Sequence, residues 1–470
     1  MRRCIMGFYD FFYLCRMFSI REYFPYYRRN LKVAIPVVIA SAGQITVTMA
    51  DNIMVGWVNA MELAAMSFSG AVYSIGMVFG MGFAIGVTPL IGISYGGNDF
   101  RKAASFFQNA LLLNLICAAL CMALMFVIGS FFDRMGQEEA VITIARPVYR
   151  ILVFSFLPQM IFFSGKQFFE GIGNTKISMY ITIGCNILNI TLNYLLIFGK
   201  FGCPAMGAEG AAIATLVSRS AMAVCFIAVF SLRSSFRRYF LFFSRTGFLW
   251  SRIKELIRIS TPVALQIGME MCTFSICTIM TGWVDGNSLA ANQITLSMAI
   301  LTFMIVLGVA SATTIRVSHQ LGAGNFIGAR KAGFASMHLA LGFMMMTGAC
   351  FIIFRHQLPL LFNNEPAVVA IAAQLFIAAG IFQIFDGLQA VSIAALRGLA
   401  DTAKPMFISF ISYIIVCLSA GYTLAFVAGL GAVGIWMGYV VGLGMAAIWL
   451  TWRFHKKSRD IVNASNFDLR

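Results

Sequence analysis

The sequence predicts an all-α polytopic membrane protein with twelve transmembrane helices in two pseudo-symmetric six-helix lobes. Three observations predict this fold: the composition, twelve apolar runs of spanning length, and an internal repeat. Of the 470 residues, 60% are hydrophobic and 11% are charged, whereas about 25% of the residues in a typical soluble domain are charged. The composition therefore excludes an ordinary soluble domain.

Twelve stretches are apolar and long enough to cross a bilayer, for which about 20 residues are needed. The predicted spans lie near 31–58, 67–94, 104–131, 146–170, 177–198, 208–232, 257–283, 289–315, 332–354, 367–396, 405–428 and 431–452. The corresponding parts of the chain are an N-terminal segment (1–30), an N-terminal lobe (31–232), a basic linker (233–256), a C-terminal lobe (257–452) and a tail (453–470).

The positions of the basic residues predict the topology. The chain has 34 Lys and Arg against 18 Asp and Glu, a balance that suggests a nucleic-acid partner in a soluble chain. With the N-terminus inside, however, most bases fall in the tails, the inner loops and the linker. The outer loops and their edges hold Arg134, Arg146, Lys200 and Arg355. Three more fall inside spans near their ends, where snorkelling accounts for them: Arg150, Lys166 and Arg219. This asymmetry follows the positive-inside rule, so we expect cytoplasmic termini and no nucleic-acid partner.

Residues 1–30 are aromatic and basic, and their apolar part is interrupted by Asp10 and Arg16. No small-residue cleavage site follows, which argues against a secretory signal. We expect a helix that lies on the inner leaflet.

Neither the cysteines nor the histidines form a recognisable site. The 11 Cys and 4 His are scattered, so we expect no disulfide framework and no metal site. No nucleophile with a partner base is visible, and we expect neither an enzyme nor a cofactor.

An internal repeat relates the two halves. Pro36 recurs as Pro262 and the run IMVGWV at 53–58 recurs as IMTGWV at 279–284, each at a spacing of 226 residues. Later matches, such as Gly171 with Gly398, fall at a spacing of 227. Because each half has an even number of crossings, we expect parallel repeats about an axis along the membrane normal.

Three acids within the spans correspond to neutral residues in the other half. The pairs are Asp51 with Cys277, Glu270 with Gln44, and Asp386 with Gln159. An ionised carboxylate in hydrocarbon is costly unless it is paired, solvated or protonated, and no base occupies a central position in a predicted span. We therefore expect the acids to take a cation or a proton, with a structural hydrogen-bonding role as the alternative. The amides Gln44, Gln159 and Gln266 are further candidates for polar residues of a cavity.

The depth of each acid separates two sites. A rise of about 1.5 Å per residue places Glu270 about 20 Å, Asp386 about 15 Å and Asp51 about 30 Å from the cytoplasmic helix ends. Glu270 and Asp386 are thus placed to share one cation. The expected neighbours of Asp51 are amides on one face of the fifth helix, namely Asn186, Asn189 and Asn193. An Asn stripe can equally be interhelical glue.

Several runs carry a family resemblance that extends from about Leu31 to Trp452. They are MADNIMVGW, STPVALQIGMEM, LAANQITLSMAILTFMIVLGVASATTIRVSHQLGAGN, FDGLQAVSIAALRGLADTAKPM and NITLNYLLIFG. They resemble the multidrug and toxic compound extrusion (MATE) family, in its NorM-like bacterial branch. The resemblance implies a V-shaped pair of lobes in the bacterial inner membrane, which acts as a monomer and exports organic cations by alternating access in exchange for Na⁺ or H⁺.

The resemblance also implies roles for individual residues. Glu270 and Asp386 match the cation-coupling acids of the seventh and tenth helices. Asp51, with Asn189 and Asn193, matches the proton or substrate site of the first lobe. Two positions depart from the family: Asn292 stands where many relatives have histidine, and Phe382 stands where relatives can carry tyrosine.

Two other functions remain open from the sequence. A flippase or exporter of a lipid-linked or other metabolite, within the same superfamily, would have a cavity lined by bases. A passive channel would need no alternating lobes.

Overall fold

A computed structural model describes residues 20–236, 239 and 247–467. Within these residues lie twelve helices that are long and apolar enough to span a membrane, and no β-strand. The predicted all-α fold with twelve spans is therefore confirmed. The helices are α1 (Ile20–Gly56), α2 (Ala60–Gly96), α3 (Phe100–Gly129), α4 (Glu139–Gly171), α5 (Thr175–Phe198), α6 (Gly207–Leu232), α7 (Trp250–Gly282), α8 (Gly286–Gly322), α9 (Phe326–Ile353), α10 (Pro366–Gly398), α11 (Ala403–Val427) and α12 (Gly431–Phe467).

Side-chain caps start four of these helices at positions that follow the repeat. Asn59 caps α2 and Asp285 caps α8, each by accepting a hydrogen bond from a backbone N–H three residues later. Asp99 and Asn325 do the same for α3 and α9. Such caps satisfy N–H groups that lack partners in the first turn. At Asp285, the backbone N–H and the hydroxyl of Ser288 hold the pKa of the carboxyl below its ordinary value.

Several helix ends lie outside the predicted spans; α2, for example, begins at Ala60 instead of 67, and α8 ends at Gly322 instead of 315. Three of the differences change a predicted segment boundary. α1 begins at Ile20 instead of 31, α7 begins at Trp250 instead of 257, and α12 continues to Phe467 instead of ending at 452. Residues 20–30 and 453–467 are therefore parts of spanning helices, and residues 250–256 are not linker. The rest of the predicted interfacial helix, residues 1–19, lies outside the described residues.

The longer ends are explained by packing that hydropathy does not detect. In the first turns of α1, the Asn30 amide donates to the carbonyl oxygen of Ala332 at 3.0 Å and to the Ser336 hydroxyl at 2.8 Å. In the last turns of α12, the ring of Phe454 is fully buried against Phe334. Both ends are amphipathic, so they stay helical beyond the apolar run.

Each lobe is organised around one central helix. In the first lobe α4 contacts α2, α3 and α6, and in the second lobe α10 contacts α8, α9 and α12. α1 contacts α5 of its own lobe and also α8 and α9 of the other lobe. α1 therefore ties the first lobe to the second.

The lobes meet closely at one end of the bundle, which carries the start of α1 and the linker and is called the linker end below. A Cβ atom added at Gly322 of α8 would lie 2.0 Å from the carbonyl oxygen of Ile93 in α2, and one added at Gly96 would lie 2.2 Å from the carbonyl oxygen of His319. His319 Nε2 also donates to the carbonyl oxygen of Gly171 at 2.6 Å. The backbones of α2 and α8 thus touch where glycines allow it.

Candidate functional sites in the two lobes

The first site lies between α1 and α5. Asp51 is 8% exposed, and its Oδ1 atom accepts a hydrogen bond of 2.5 Å from Asn193 Nδ2. The same amide nitrogen lies 3.0 Å from Asn189 Oδ1, which also accepts from it. The structure therefore brings Asp51, Asn189 and Asn193 together. Asn186 lies on the same face of α5, and its Nδ2 atom is close to Gly43.

A base also belongs to this region. The Arg219 guanidinium, on α6, donates from Nη1 to the Tyr73 hydroxyl and to the Ser155 hydroxyl, both at 2.6 Å. It is half-buried, and it interacts electrostatically with Asp51. The interpretation of Arg219 as a snorkelling residue is therefore wrong, because its charged group is held by hydroxyls inside the lobe.

The second site lies in the C-terminal lobe. Asp386 on α10 is 4% exposed, and it interacts electrostatically with Glu270 on α7. The Gln389 side chain interacts with both carboxyl groups. Tyr413 completes the cluster, because its hydroxyl donates to Gln389 Oε1 at 2.7 Å. The structure thus brings together the two acids that were assigned to one site, with an amide and a phenol that the sequence analysis did not single out.

An irregular helix positions Tyr413. α11 contains two π-helical stretches, Ile411–Cys417 and Thr423–Val427, and Tyr413 lies in the first. The backbone of α11 packs closely on α12: a Cβ atom added at Gly438 of α12 would lie 2.5 Å from the Cα atom of Gly421 of α11. Short π-helical turns are often found at functional sites.

The second site contains a base as well. α10 continues to Gly398, beyond the predicted end of the span at 396, and this places Arg397 in its last turn. The Arg397 guanidinium interacts electrostatically with Glu270, and its Nε atom is buried without a hydrogen bond among the described residues. Glu270 therefore has a base in its surroundings, although Arg397 lies at the end of α10 and not at the centre of a span.

The remaining candidates are the three glutamines; Gln266 lies one helical turn before Glu270 on α7. Gln266 is buried and donates to the Ser409 hydroxyl at 3.2 Å. Gln159 is buried within the first lobe, whereas Gln44 is exposed on α1.

The two positions that depart from the family are both packed. The Asn292 side chain accepts a hydrogen bond of 2.9 Å from the Trp436 indole. The ring of Phe382 lies 5.6 Å from that of Trp436. Phe382 has no atom that could bind a cation, and the Asn292 side-chain oxygen is already hydrogen-bonded to the indole.

The charges of the two sites differ. With ionised acids, the second site carries Glu270, Asp386 and Arg397, which leaves a net charge of one negative unit. Carboxylate, amide and phenol oxygens suit a hard cation, and a carboxylate can take a proton instead. In the first site, Asp51 and Arg219 balance each other. No group of three or more His, Cys, Asp or Glu that could hold a metal ion occurs among the described residues.

Comparison with known proteins identifies the family. A family model described as MatE matches residues 36–195 and 262–423, so that it matches once in each half and begins each time at a repeated proline. The chain belongs to the MatE family.

Curated members of this family resemble the chain over most of its length. It is 31% identical to the "Probable multidrug resistance protein NorM" of Rhizobium meliloti, over 93% of this chain and 95% of that protein. It is 29% identical to the "Multidrug resistance protein NorM" of Photobacterium profundum, over 87% of this chain and 91% of that protein. The predicted resemblance is thereby confirmed.

Solved structures share the fold. "Crystal structure of MATE in the bent conformation" aligns with a TM-score of 0.83 at 20% identity, over 93% of this chain and 96% of that one. "Crystal structure of eukaryotic MATE transporter AtDTX14" aligns with a TM-score of 0.82 at 21% identity, over 93% and 98%. The MatE fold therefore covers nearly the whole chain.

Proposed function

We propose that this MatE protein is a multidrug efflux antiporter that exports organic cations in exchange for Na⁺ or H⁺. The names of its NorM relatives support the drug substrates. The observation that carries the antiport is the pair of acids, Glu270 and Asp386, which share the Gln389 side chain inside the C-terminal lobe. Carboxyl groups in such surroundings need a cation or a proton. A bacterial inner membrane with cytoplasmic termini, and action as a monomer, are part of the proposal.

The proposed mechanism is competition for this charge. In the form that opens outward, Na⁺ or H⁺ neutralises the acids and weakens their attraction for a bound organic cation, which leaves. In the form that opens inward, the coupling ion leaves and a new organic cation binds. Such exchange requires that the two ligands bias the same equilibrium in opposite directions. The close approach of the lobes at the linker end supports an outward-opening form for the present structure, provided that this end is cytoplasmic.

Asp51 has a separate role in this proposal. Its repeat partner Cys277 is buried at the equivalent position, so the fold does not need an acid there. We assign to Asp51 the binding of a proton or of the substrate cation in the first lobe. Asn193 holds its carboxyl group in place through the hydrogen bond described above.

The experiment is efflux of a fluorescent cationic dye from proteoliposomes, with Na⁺ and H⁺ gradients imposed separately. We expect one of the two gradients to drive efflux in the wild type, and Glu270→Gln and Asp386→Asn each to abolish that response. Glu365→Gln is the matched control, because Glu365 is an exposed acid of the same lobe. Wild-type efflux from both site variants would refute the coupling role, and equal flux without any gradient would indicate a channel.

A further inference from the structure

A cavity of about 470 Å³ lies at the linker end of the first lobe. It is formed where α1, the turn between α4 and α5, and the segment after α6 come together. Three bases from these three parts of the chain line it, namely Lys32, Lys176 and Arg233, and no acid does. The cavity is distinct from the two acid sites and has no role in the proposed exchange.

The three bases have no counter-charge within the described part of the chain. The salt bridges there, with nitrogen to oxygen distances of up to 4.0 Å, involve other residues. The acid nearest to Lys176 along the chain, Glu170, is buried, and its Oε1 atom lies 3.7 Å from Lys166 Nζ. All three side chains are exposed, so water and salt reduce their mutual repulsion, and an anion between them would remove it.

The backbone adds to the positive potential. α5 begins at Thr175, its first turn contains no acid, and the Asn174 side chain does not cap it. Residues 173–176 line the cavity. The free N–H groups of a first helical turn and the helix dipole favour an anion, yet the side chain in this turn is Lys176. Bases and dipole therefore act together, as they do in phosphate sites.

The repeat provides an independent comparison. Asn174 corresponds to Asp401 in the C-terminal lobe, at the spacing of 227 residues. There the Asp401 carboxylate accepts from Arg453 Nη2 at 2.5 Å. The C-terminal lobe thus has an acid of its own at this turn, whereas the first lobe has a neutral amide and three bases.

We propose that this cavity binds a phosphate-bearing anion. Its place among the bases that predict the inner leaflet favours the headgroup of an anionic phospholipid as the source, since basic pockets on that side of a membrane take such headgroups. Lys32, Lys176 and Arg233 contact the phosphate oxygens, and the first turn of α5 donates its N–H groups.

The anion also affects the contact between the lobes. The turn that lines the cavity follows Gly171, whose carbonyl oxygen accepts from His319 of the other lobe. Tyr95, another lining residue, has its ring 5.0 Å from the His319 ring. An anion that needs this turn and Tyr95 in their present positions therefore favours the form in which the lobes meet at the linker end. This consequence rests on the proposed alternating mechanism, but the binding itself does not.

Binding is tested on the full chain in uncharged detergent, by native mass spectrometry with added phosphatidylglycerol, phosphatidylcholine or inorganic phosphate. We expect preferential retention of phosphatidylglycerol. The double variant Lys32→Gln/Lys176→Gln should weaken this retention about 30-fold, from the typical contribution of two bases at a membrane surface. Lys32→Arg/Lys176→Arg should restore it, which also shows that substitution at these positions leaves the protein folded.

The matched control is Lys102→Gln/Lys254→Gln, which removes two bases near the same end that do not line the cavity. It should leave retention unchanged. Displacement of the lipid by inorganic phosphate shows that the phosphate alone is recognised, and retention of the lipid against it shows that the whole headgroup is needed. Equal retention of both lipids, or the same loss in the control as in the site variant, overturns the proposal. Because no transport is measured, failure here is distinguishable from failure of the antiport proposal.

Discussion

Arg397 interacts electrostatically with Glu270 from the last turn of α10, across the lobe from α7. No direct ion pair within 4.0 Å joins them in the described part of the chain. A base that is not in direct contact lowers the net charge around the acids without occupying the carboxylate oxygens. The oxygens therefore stay available for a coupling ion, while the base limits how tightly that ion is held.

The first prediction concerns this base. Arg397→Gln should leave Glu270 and Asp386 with two uncompensated negative charges. We expect the concentration of the coupling ion needed for half-maximal efflux to fall about tenfold, because interacting sites typically change each other's affinity by about that factor. We also expect turnover to fall, because the more tightly held ion is released more slowly. Dye efflux against a series of Na⁺ or H⁺ concentrations measures both. Arg397→Lys, which keeps the charge, is the control, and an unaltered ion dependence in Arg397→Gln would contradict the assignment.

The second prediction concerns Asn193. Asn193→Ala removes the donor to the buried Asp51 carboxyl, and a buried acceptor without a partner costs about 1–3 kcal/mol. We expect a lower thermal unfolding midpoint in detergent together with weaker dye binding. Asn186→Ala is the control from the same helix face, because the Asn186 Nδ2 atom makes no hydrogen bond within the described residues. Equal effects of the two substitutions would show that the hydrogen bond to Asp51 is unimportant.

The third prediction concerns the contact between the lobes. In Gly322→Ala, the new methyl group must displace the carbonyl oxygen of Ile93, so we expect the lobes to separate at the linker end and efflux to fall. The distance between spin labels placed on α2 and α8 near that end reports the separation. Gly70→Ala serves as the control on α2, because nothing lies within 4 Å of a Cβ atom there. An unaltered distance distribution in Gly322→Ala would rule out this contact as a determinant of the closed end.

The fourth prediction concerns Tyr413. Tyr413→Phe removes the hydroxyl that donates to Gln389, and the unpaired amide oxygen should lower the free energy of unfolding by about 1–3 kcal/mol. We also expect altered dependence on the coupling ion, because Gln389 interacts with both acids. Tyr422→Phe, at an exposed tyrosine of the same helix, should have neither effect. A stability loss with unaltered ion dependence would mean that Tyr413 supports the fold alone.

Much of the fold follows from local features of the sequence. The apolar runs predict the spans, and the repeat predicts the two halves. The spacing of Asn189 and Asn193 predicts the contact of α5 with Asp51. The helix ends were predicted less well, because amphipathic turns such as those around Asn30 stay helical through contacts with a distant helix. Hydropathy contains no information on such contacts.

The bases of the two sites were also harder to predict from the sequence than the acids. Arg397 lies just beyond the predicted span, because the apolar run ends at 396. Asp386, Gln389 and Arg397 nevertheless share one face at helical spacing, and this pattern is a signal that the helix continues. Arg219 offered no such signal. Its partners Tyr73 and Ser155 lie on other helices, and a single sequence does not report which distant residues meet.

The glycine contact at the linker end has a mechanical consequence. Because the backbone of α8 at Gly322 rests directly on the backbone of α2 at Ile93, no flexible side chain lies between them to adjust to a partial separation. Carbonyl groups and Cα atoms fit at one spacing and lose contact together when that spacing grows. The joint should therefore open in a single step, so that the protein passes between two discrete arrangements instead of a continuum of partly open ones.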